Sequence, residues 1–220
     1  MQIRVVTVER EYGSGGAVIA QRLAEHLGWK LWDHEISAEI ARRANIDQKT
    51  ATRCDERVHS SLLNRLFRAY ARGSYERALP LGDSSRFNTD HMVAMLENVV
   101  KELAERGNCV IVGRGAQYFL RNRPDAFHVF VYAPTDEKIR RLRSIGQSEK
   151  EALRLIQEVD RERGEFIRHY FGKEWPYRPL YNLMINSKYG DEYVIETILQ
   201  QVAALEKRPV ASRSAVDVAR

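Results

Sequence analysis

The chain has 220 residues, 44% of them hydrophobic and 30% charged, which is a globular balance with room for one α/β domain carrying an excursion or a small insert. Its two cysteines, Cys54 and Cys109, are far apart and its six histidines lack metal spacing, so neither a disulfide framework nor a cysteine–histidine metal site is expected. No segment approaches the ~20 apolar residues of a membrane span. Arg4 interrupts the only apolar stretch of the N-terminus, so no signal peptide is read there and the cytoplasm is the expected location. The formal net charge of +5 suits a nucleotide, a phosphate or nucleic acid, and a solvated basic surface accounts for it equally well.

Residues Ile3 to Val8, rich in β-branched side chains, predict a buried strand. The run Glu9-Arg10-Glu11-Tyr12-Gly13-Ser14-Gly15-Gly16 follows as a turn with three glycines in four residues. Val18, Ile19, Leu23 and Leu27 recur at helical spacing, and Gly28 ends that helix. Trp29 to Trp32 reads as a short strand, and Asp33 is placed to cap a helix from about Glu35 to Ala44.

No strand pattern occurs between residues 46 and 105. Leu62, Leu63, Leu66 and Phe67 mark a helix there, Gly73 to Asn88 a loop, and Met92, Met95, Leu96, Val99, Val100 and Leu103 an amphipathic stripe ending near Gly107. The block reads as a helical insert. Cys109 to Val112 is a second buried strand, and Gly113-Arg114-Gly115 turns it into a short helix through Leu120. Phe127 to Tyr132 is a third strand, and Thr135 is positioned to cap a helix to about Ser144. Ser148-Glu149-Lys150-Glu151 has the form of a capping box opening a long charged helix to about Tyr170, which Gly172 to Pro179 breaks. Leu183 to Asn186 is a last strand, Asp191 to Leu205 a last helix, and 206–220 a loose tail.

Strands alternating with helices predict a parallel sheet covered on both faces. Ligands of such sheets sit beyond the carboxyl ends of the strands. Gly13 to Gly16, Asp33 and Arg114 all fall there. A strand, a glycine turn and a helix N-terminus together make an anion site from backbone N–H groups and the helix dipole. The standard phosphate loop runs six positions from glycine to glycine, then lysine, then serine or threonine. With Gly15 at the second glycine, Arg10 stands at the first, Gly16 at the lysine and Ala17 at the hydroxyl residue. Arg10, or an arginine of the long helix, is left to supply the missing charge; a glycine turn serving packing alone is the plainer alternative.

The run Arg10-Glu11-Tyr12-Gly13-Ser14-Gly15-Gly16, with Leu23-Ala24, Leu27-Gly28 and Asp33, resembles the cytidylate kinase-like family, relatives of bacterial cytidylate kinase among the P-loop nucleoside monophosphate kinases. Val110-Ile111-Val112-Gly113-Arg114-Gly115-Ala116, Arg123-Pro124, Val129 to Ala133, Asp160-Arg161-Glu162-Arg163 and Tyr181 to Ser187 extend the resemblance over about residues 3 to 200. It implies a three-layer α/β/α P-loop fold with a parallel sheet, a helical acceptor-side insert and a helical lid. The implied domain is 1–205, with core 1–45 and 106–205, insert 46–105 and lid about 148–179. It further implies transfer of the γ-phosphate of ATP, with Mg²⁺, to CMP or dCMP. Gly13, Ser14, Gly15, Gly16 and Ala17 would hold donor phosphates. Asp33, Arg114 and Asp160 would lie at the acceptor, and Arg10, Arg161 and Arg163 would serve the transferring group. No residue is assigned to a metal.

Plainer readings stand beside these. Arg161 and Arg163 point about 200° apart on a helix, and with Glu158, Asp160 and Glu162 beside them they also fit an exposed face laced with ion pairs. Arg114 also fits a strand-end structural role and Asp33 an N-cap. Glu9 and Glu11 either pair with Arg10 or hold Mg²⁺ through water. His34 and the two tryptophans Trp29 and Trp32 read as surface and core residues. Tyr170, Phe171, Trp175 and Tyr177 fit either base packing or packing of the lid on the body. Three functions follow: a nucleotide kinase; a P-loop protein that binds nucleotide without efficient transfer, acting as a sensor; and a nucleic-acid binder, which has no motif behind it. Nucleotides are the expected partners, membrane and nucleic acid are not, and a homo-oligomer stays open.

Overall fold

The computed structural model describes residues 2–36, 39, 40, 42, 43 and 89–208. The first strand, β1 (Val5–Arg10), is buried at every position, which requires cover on both faces. Its period of two sends Val5 to one layer and Val6 and Val8 to the other. Four more strands complete the sheet: β2 (Lys30–Trp32), β3 (Cys109–Val112), β4 (Ala126–Tyr132) and β5 (Leu183–Asn186). The order is β2-β3-β1-β4-β5, and every neighbouring pair is parallel.

Helices α1 (Gly16–Leu27) and α6 (Asp191–Glu206) cover the face that carries Val6, Val8, Val110, Val112, Val129 and Val131. On the other face lie α2 (Thr89–Arg106), the single turn α3 (Ala116–Phe119) and the second half of α5 (Glu149–Phe171), against Val5, Cys109 and Ile111. Helical residues 34–36 and 39–40 add Ile36 and Ile40 to that core. Helix α4 (Thr135–Ser144) packs on the first half of α5 around Leu142, Leu155, Ile156 and Val159, with Tyr12 of the glycine turn between them. This is the expected three-layer arrangement with a parallel central sheet.

Several local expectations change. Strand β1 begins and ends two residues later than Ile3–Val8, because the ladder to β4 continues to Glu9↔Phe130 and Arg10↔Val131 and draws the charged pair into the sheet. Thr135 is the first residue of α4, not its cap; Pro134 occupies the cap and no side chain bonds there. Ser148 does cap α5, its hydroxyl accepting the Glu151 N–H at 3.2 Å. Gly28 and Gly172 close α1 and α5 in the left-handed conformation. Glu206, expected in the tail, ends α6, and its carboxylate accepts the Ile3 N–H at 2.8 Å. The expected helix around Leu62–Phe67, the loop Gly73–Asn88 and the tail beyond 208 lie outside the described residues. Among the described residues no helix is long and apolar enough to cross a membrane.

The chain leaves β1 for β2 at one edge, returns to β3 beside β1, then crosses to β4 on the other side. The carboxyl end of β1 is therefore a switch point, where an open α/β sheet leaves a crevice.

Candidate active site

Gly13 (φ 79°) and Gly15 (φ 81°) take the left-handed conformation that L-residues rarely adopt. Gly15 is the N-cap of α1 and no side chain caps it, so the first N–H groups of the helix face outward as donors. The loop is tied on two sides. Ser14 Oγ donates to Glu11 O at 2.8 Å, and Ser187 Oγ, at the end of β5, donates to Ser14 O at 2.6 Å. From α5, Asp160 Oδ1 accepts the Tyr12 N–H at 2.8 Å, and Arg163 Nη1 donates to Arg10 O at 2.6 Å. These bonds hold the loop in a shape set before any ligand arrives.

Charged side chains are buried beside it. Arg10 is 2% exposed, Arg114 1% and Arg163 0%. Buried ions are costly unless they are paired and hydrogen-bonded. Strand alternation aims Arg10 toward α1 and Glu9 toward α3, where Glu9 Oε2 accepts from Gln117 Nε2 at 3.2 Å. Gln117 also lies 3.2 Å from the Tyr181 hydroxyl. Arg10 Nη2 stands 4.0 Å from Asp33 Oδ1. Arg114, beyond the end of β3, reaches the Asp33 carbonyl with Nη2 at 3.4 Å. Arg114 (φ 63°) sits between Gly113 (φ 62°) and Gly115 (φ 68°), three consecutive left-handed residues. The arginine carries a local strain on the order of 1–2 kcal/mol that its buried partners offset.

The structure thus brings Arg10, Asp33 and Arg114 together at the ends of β1, β2 and β3. Asp160 and Arg163 join on the loop side instead, 3.4 Å apart, with Lys138 Nζ 3.6 Å from Asp160. Burial pushes the Asp160 carboxyl up to about 6, against the pull of Arg163 and Lys138. Arg161 stays apart: its side chain is 64% exposed and 3.8 Å from Glu165. Glu11, expected at Arg10 or Mg²⁺, pairs with Lys138 at 2.6 Å. Phe171 stacks on Tyr118 with ring centroids 4.3 Å apart, Trp175 meets Phe130 edge-on, and Tyr170 and Tyr177 pack against the same core. The end of the long helix is packed on the body.

Two functional-looking cations escaped sequence reasoning. Lys138 is buried between Glu11 and Asp160. Arg141 lies over the loop: a Cβ added at Gly15 would collide with its Nη1. Arg141 Nη1 is 2.8 Å from Asp191 Oδ1, and its Nη2 donates to Ser187 O at 3.1 Å. Only the helical phase of α4 distinguishes these two from the neighbouring Arg140 and Arg143, which face solvent. A loop-held metal does not fit the residues present. Ala17 offers no side-chain oxygen, and among the described residues no group of three or more histidine, cysteine or acidic side chains could hold an ion.

No curated protein matches the chain. Among solved structures, an uncharacterized protein from Eubacterium ventriosum ATCC 27560 is similar at 25% identity and TM-score 0.65, over 93% of this chain and 99% of that one. A gluconokinase from Sinorhizobium meliloti 1021 is similar at 14% identity and TM-score 0.52, over 93% of this chain and 95% of that one. A shikimate kinase from Bacteroides thetaiotaomicron follows at 15% identity and TM-score 0.50, over 91% of this chain and 98% of that one. The last two show the fold alone: an α/β P-loop fold with an all-parallel five-stranded sheet. The profile of the cytidylate kinase-like family matches residues 5–189, and the chain belongs to that family.

Proposed function

We propose that the protein is a phosphotransferase that moves the γ-phosphate of ATP to a nucleoside monophosphate, with CMP or dCMP as the acceptor. One observation carries the reading: a rigid glycine loop at the N-terminus of α1 faces buried Arg10, Asp33 and Arg114 across the switch point of the sheet. Donor phosphates would rest on the N–H groups of residues 13–17, and the acceptor would lie toward Asp33 and Arg114. An oxygen of the acceptor phosphate bonds to the γ-phosphorus as the bond from that phosphorus to the β–γ bridging oxygen breaks. The bridging oxygen keeps the electron pair and leaves on ADP. Such chemistry needs positioning and charge neutralisation more than covalent help.

Arg163, with no exposed surface, acts by holding Arg10 and the loop in place. Arg161, on the solvent face of α5, would have to give up its pair with Glu165 to meet the transferring group. Asp160 serves the loop through Tyr12. The insert 46–105 would cover the acceptor and residues about 148–179 the donor side. Mg²⁺ would enter on the triphosphate oxygens, and no step is assigned to it because Ala17 stands where the standard loop has its hydroxyl ligand. A cytoplasmic site of action accords with ATP as donor.

A second reading, nucleotide binding without efficient transfer, is favoured by Gly16 and Ala17 in the places of the lysine and the hydroxyl residue. Calorimetric titration with ATP–Mg²⁺ and then CMP, followed by a coupled ADP-release assay over a panel of monophosphates, separates the two. ADP release that depends on one acceptor establishes the kinase. Binding without turnover establishes the second reading, and absence of binding removes both.

A further inference from the structure

Gly16 differs from the other glycines of the loop. Gly13 and Gly15 have left-handed backbones, whereas Gly16 begins α1 with an ordinary conformation that any L-residue can take. Backbone geometry does not call for glycine there; space does. A Cβ built on Gly16 would stand 2.5 Å from Arg10 Cβ and 3.0 Å from Arg10 Cγ. Arg10 is a strand residue of β1, so its Cβ is fixed by the backbone and cannot swing aside as a side-chain tip can, and its Cγ moves only by turning the buried side chain about χ1. The stem of Arg10 therefore fills the space from which a side chain at position 16 would start. In the standard loop the pattern is reversed, with glycine at the position of Arg10 and lysine at the position of Gly16.

We infer that these two departures are one exchange: Arg10 brings to the phosphate loop, from the strand beneath it, the positive charge that the standard loop takes from its lysine. This rests on the phosphotransferase reading, and the ligand class is the polyphosphate of a nucleoside triphosphate. The Arg10 side chain is buried, its guanidinium stands 4.0 Å from Asp33 Oδ1, and the main-chain carbonyl of Arg10 accepts from Arg163 Nη1 at 2.6 Å. That places the charge between the loop and the residues assigned to the acceptor, where negative charge gathers during transfer. An arginine presents a planar fork to phosphate oxygens where lysine presents a point charge.

The test is a cycle of four proteins titrated with ATP–Mg²⁺: wild type, Arg10→Gly, Gly16→Lys and the double variant, each with a thermal melt. Arg10→Gly is expected to lose about tenfold or more in ATP affinity, the scale of one charge-assisted contact. Gly16→Lys alone is expected to melt lower and bind no better. The double variant, which rebuilds glycine at 10 and lysine at 16, is expected to recover both melting temperature and affinity to within about threefold of wild type, a coupling that independent sites would not show. Equal affinity of wild type and Arg10→Gly overturns the inference, as does a folded double variant that binds no better than Arg10→Gly. Should Arg10→Gly not fold, Arg10→Met keeps the stem and removes only the charge; an unchanged affinity, or a failure to fold, then makes the charge structural and overturns it. Wild type that binds no ATP removes the phosphotransferase reading itself, an outcome distinct from these.

Discussion

Gly15 shows what one residue must satisfy here. Its φ of 81° is a conformation that a branched side chain adopts only under strain, and any Cβ would strike the Arg141 guanidinium. Gly15→Val is therefore expected to abolish measurable ATP binding in a calorimetric titration and to lower the melting temperature. The importance of the glycines was legible in the chain because left-handed positions select glycine locally. Arg141, their neighbour, was not, since nothing in Glu137-Lys138-Ile139-Arg140-Arg141 says which cation folds over a loop more than a hundred residues away. Arg114 lay between: two flanking glycines announced a close approach, but its left-handed backbone and its reach to the Asp33 carbonyl needed the neighbouring strand end.

The long helix α5 carries the next lesson. Its Ser148 cap follows from a local pattern and is present. The separation of Arg161 and Arg163 around the helix is local too, but which of them faces inward depends on the body it packs on. Arg163 is buried beneath the loop and Arg161 faces solvent. Arg163→Met removes the donor to Arg10 O and leaves Asp160 short of a partner, so a loss of about 3 kcal/mol in denaturant unfolding and weaker ATP binding are expected. Arg161→Ala should stay within about 0.5 kcal/mol of wild type in the same unfolding experiment. If Arg161 meets the transferring group, its kcat falls while its stability does not. Element ends were less legible where tertiary pairing overrode composition: Glu9 and Arg10 read as a turn, yet the ladder to β4 makes them strand.

At the scale of the molecule, buried His128 and half-buried Asp160 oppose each other as the pH falls. His128, a buried residue of β4, has Nδ1 2.8 Å from Thr7 Oγ1 of β1, and burial lowers it to about 4. The unfolded chain takes up that proton near pH 6.5 and the fold does not, so stability is lost on acidification between about 6.5 and 4, by roughly 3 kcal/mol. Asp160, raised to about 6, acts with the other sign: the stability it lends is complete below the ordinary aspartate range and disappears as the pH rises through 6. Denaturant unfolding from pH 7.5 to 4.5 is expected to show a shallow acid loss in wild type. In His128→Asn the loss should give way to a gain of stability on acidification, and in Asp160→Asn the loss should steepen. The sequence by itself determined the element types of the described residues, the α/β class and the glycine loop, because each rests on periodicity or on spacing within one short segment, and the family, which rests on resemblance along most of the chain. Only the tertiary structure decided the order β2-β3-β1-β4-β5 and the meeting of Arg10, Asp33, Arg114 and Arg163. The exchange of Arg10 against Gly16 was decided at the same level. The reason is physical: burial and pairing of charge depend on which strand ends become neighbours, and a period along the chain carries no information about that.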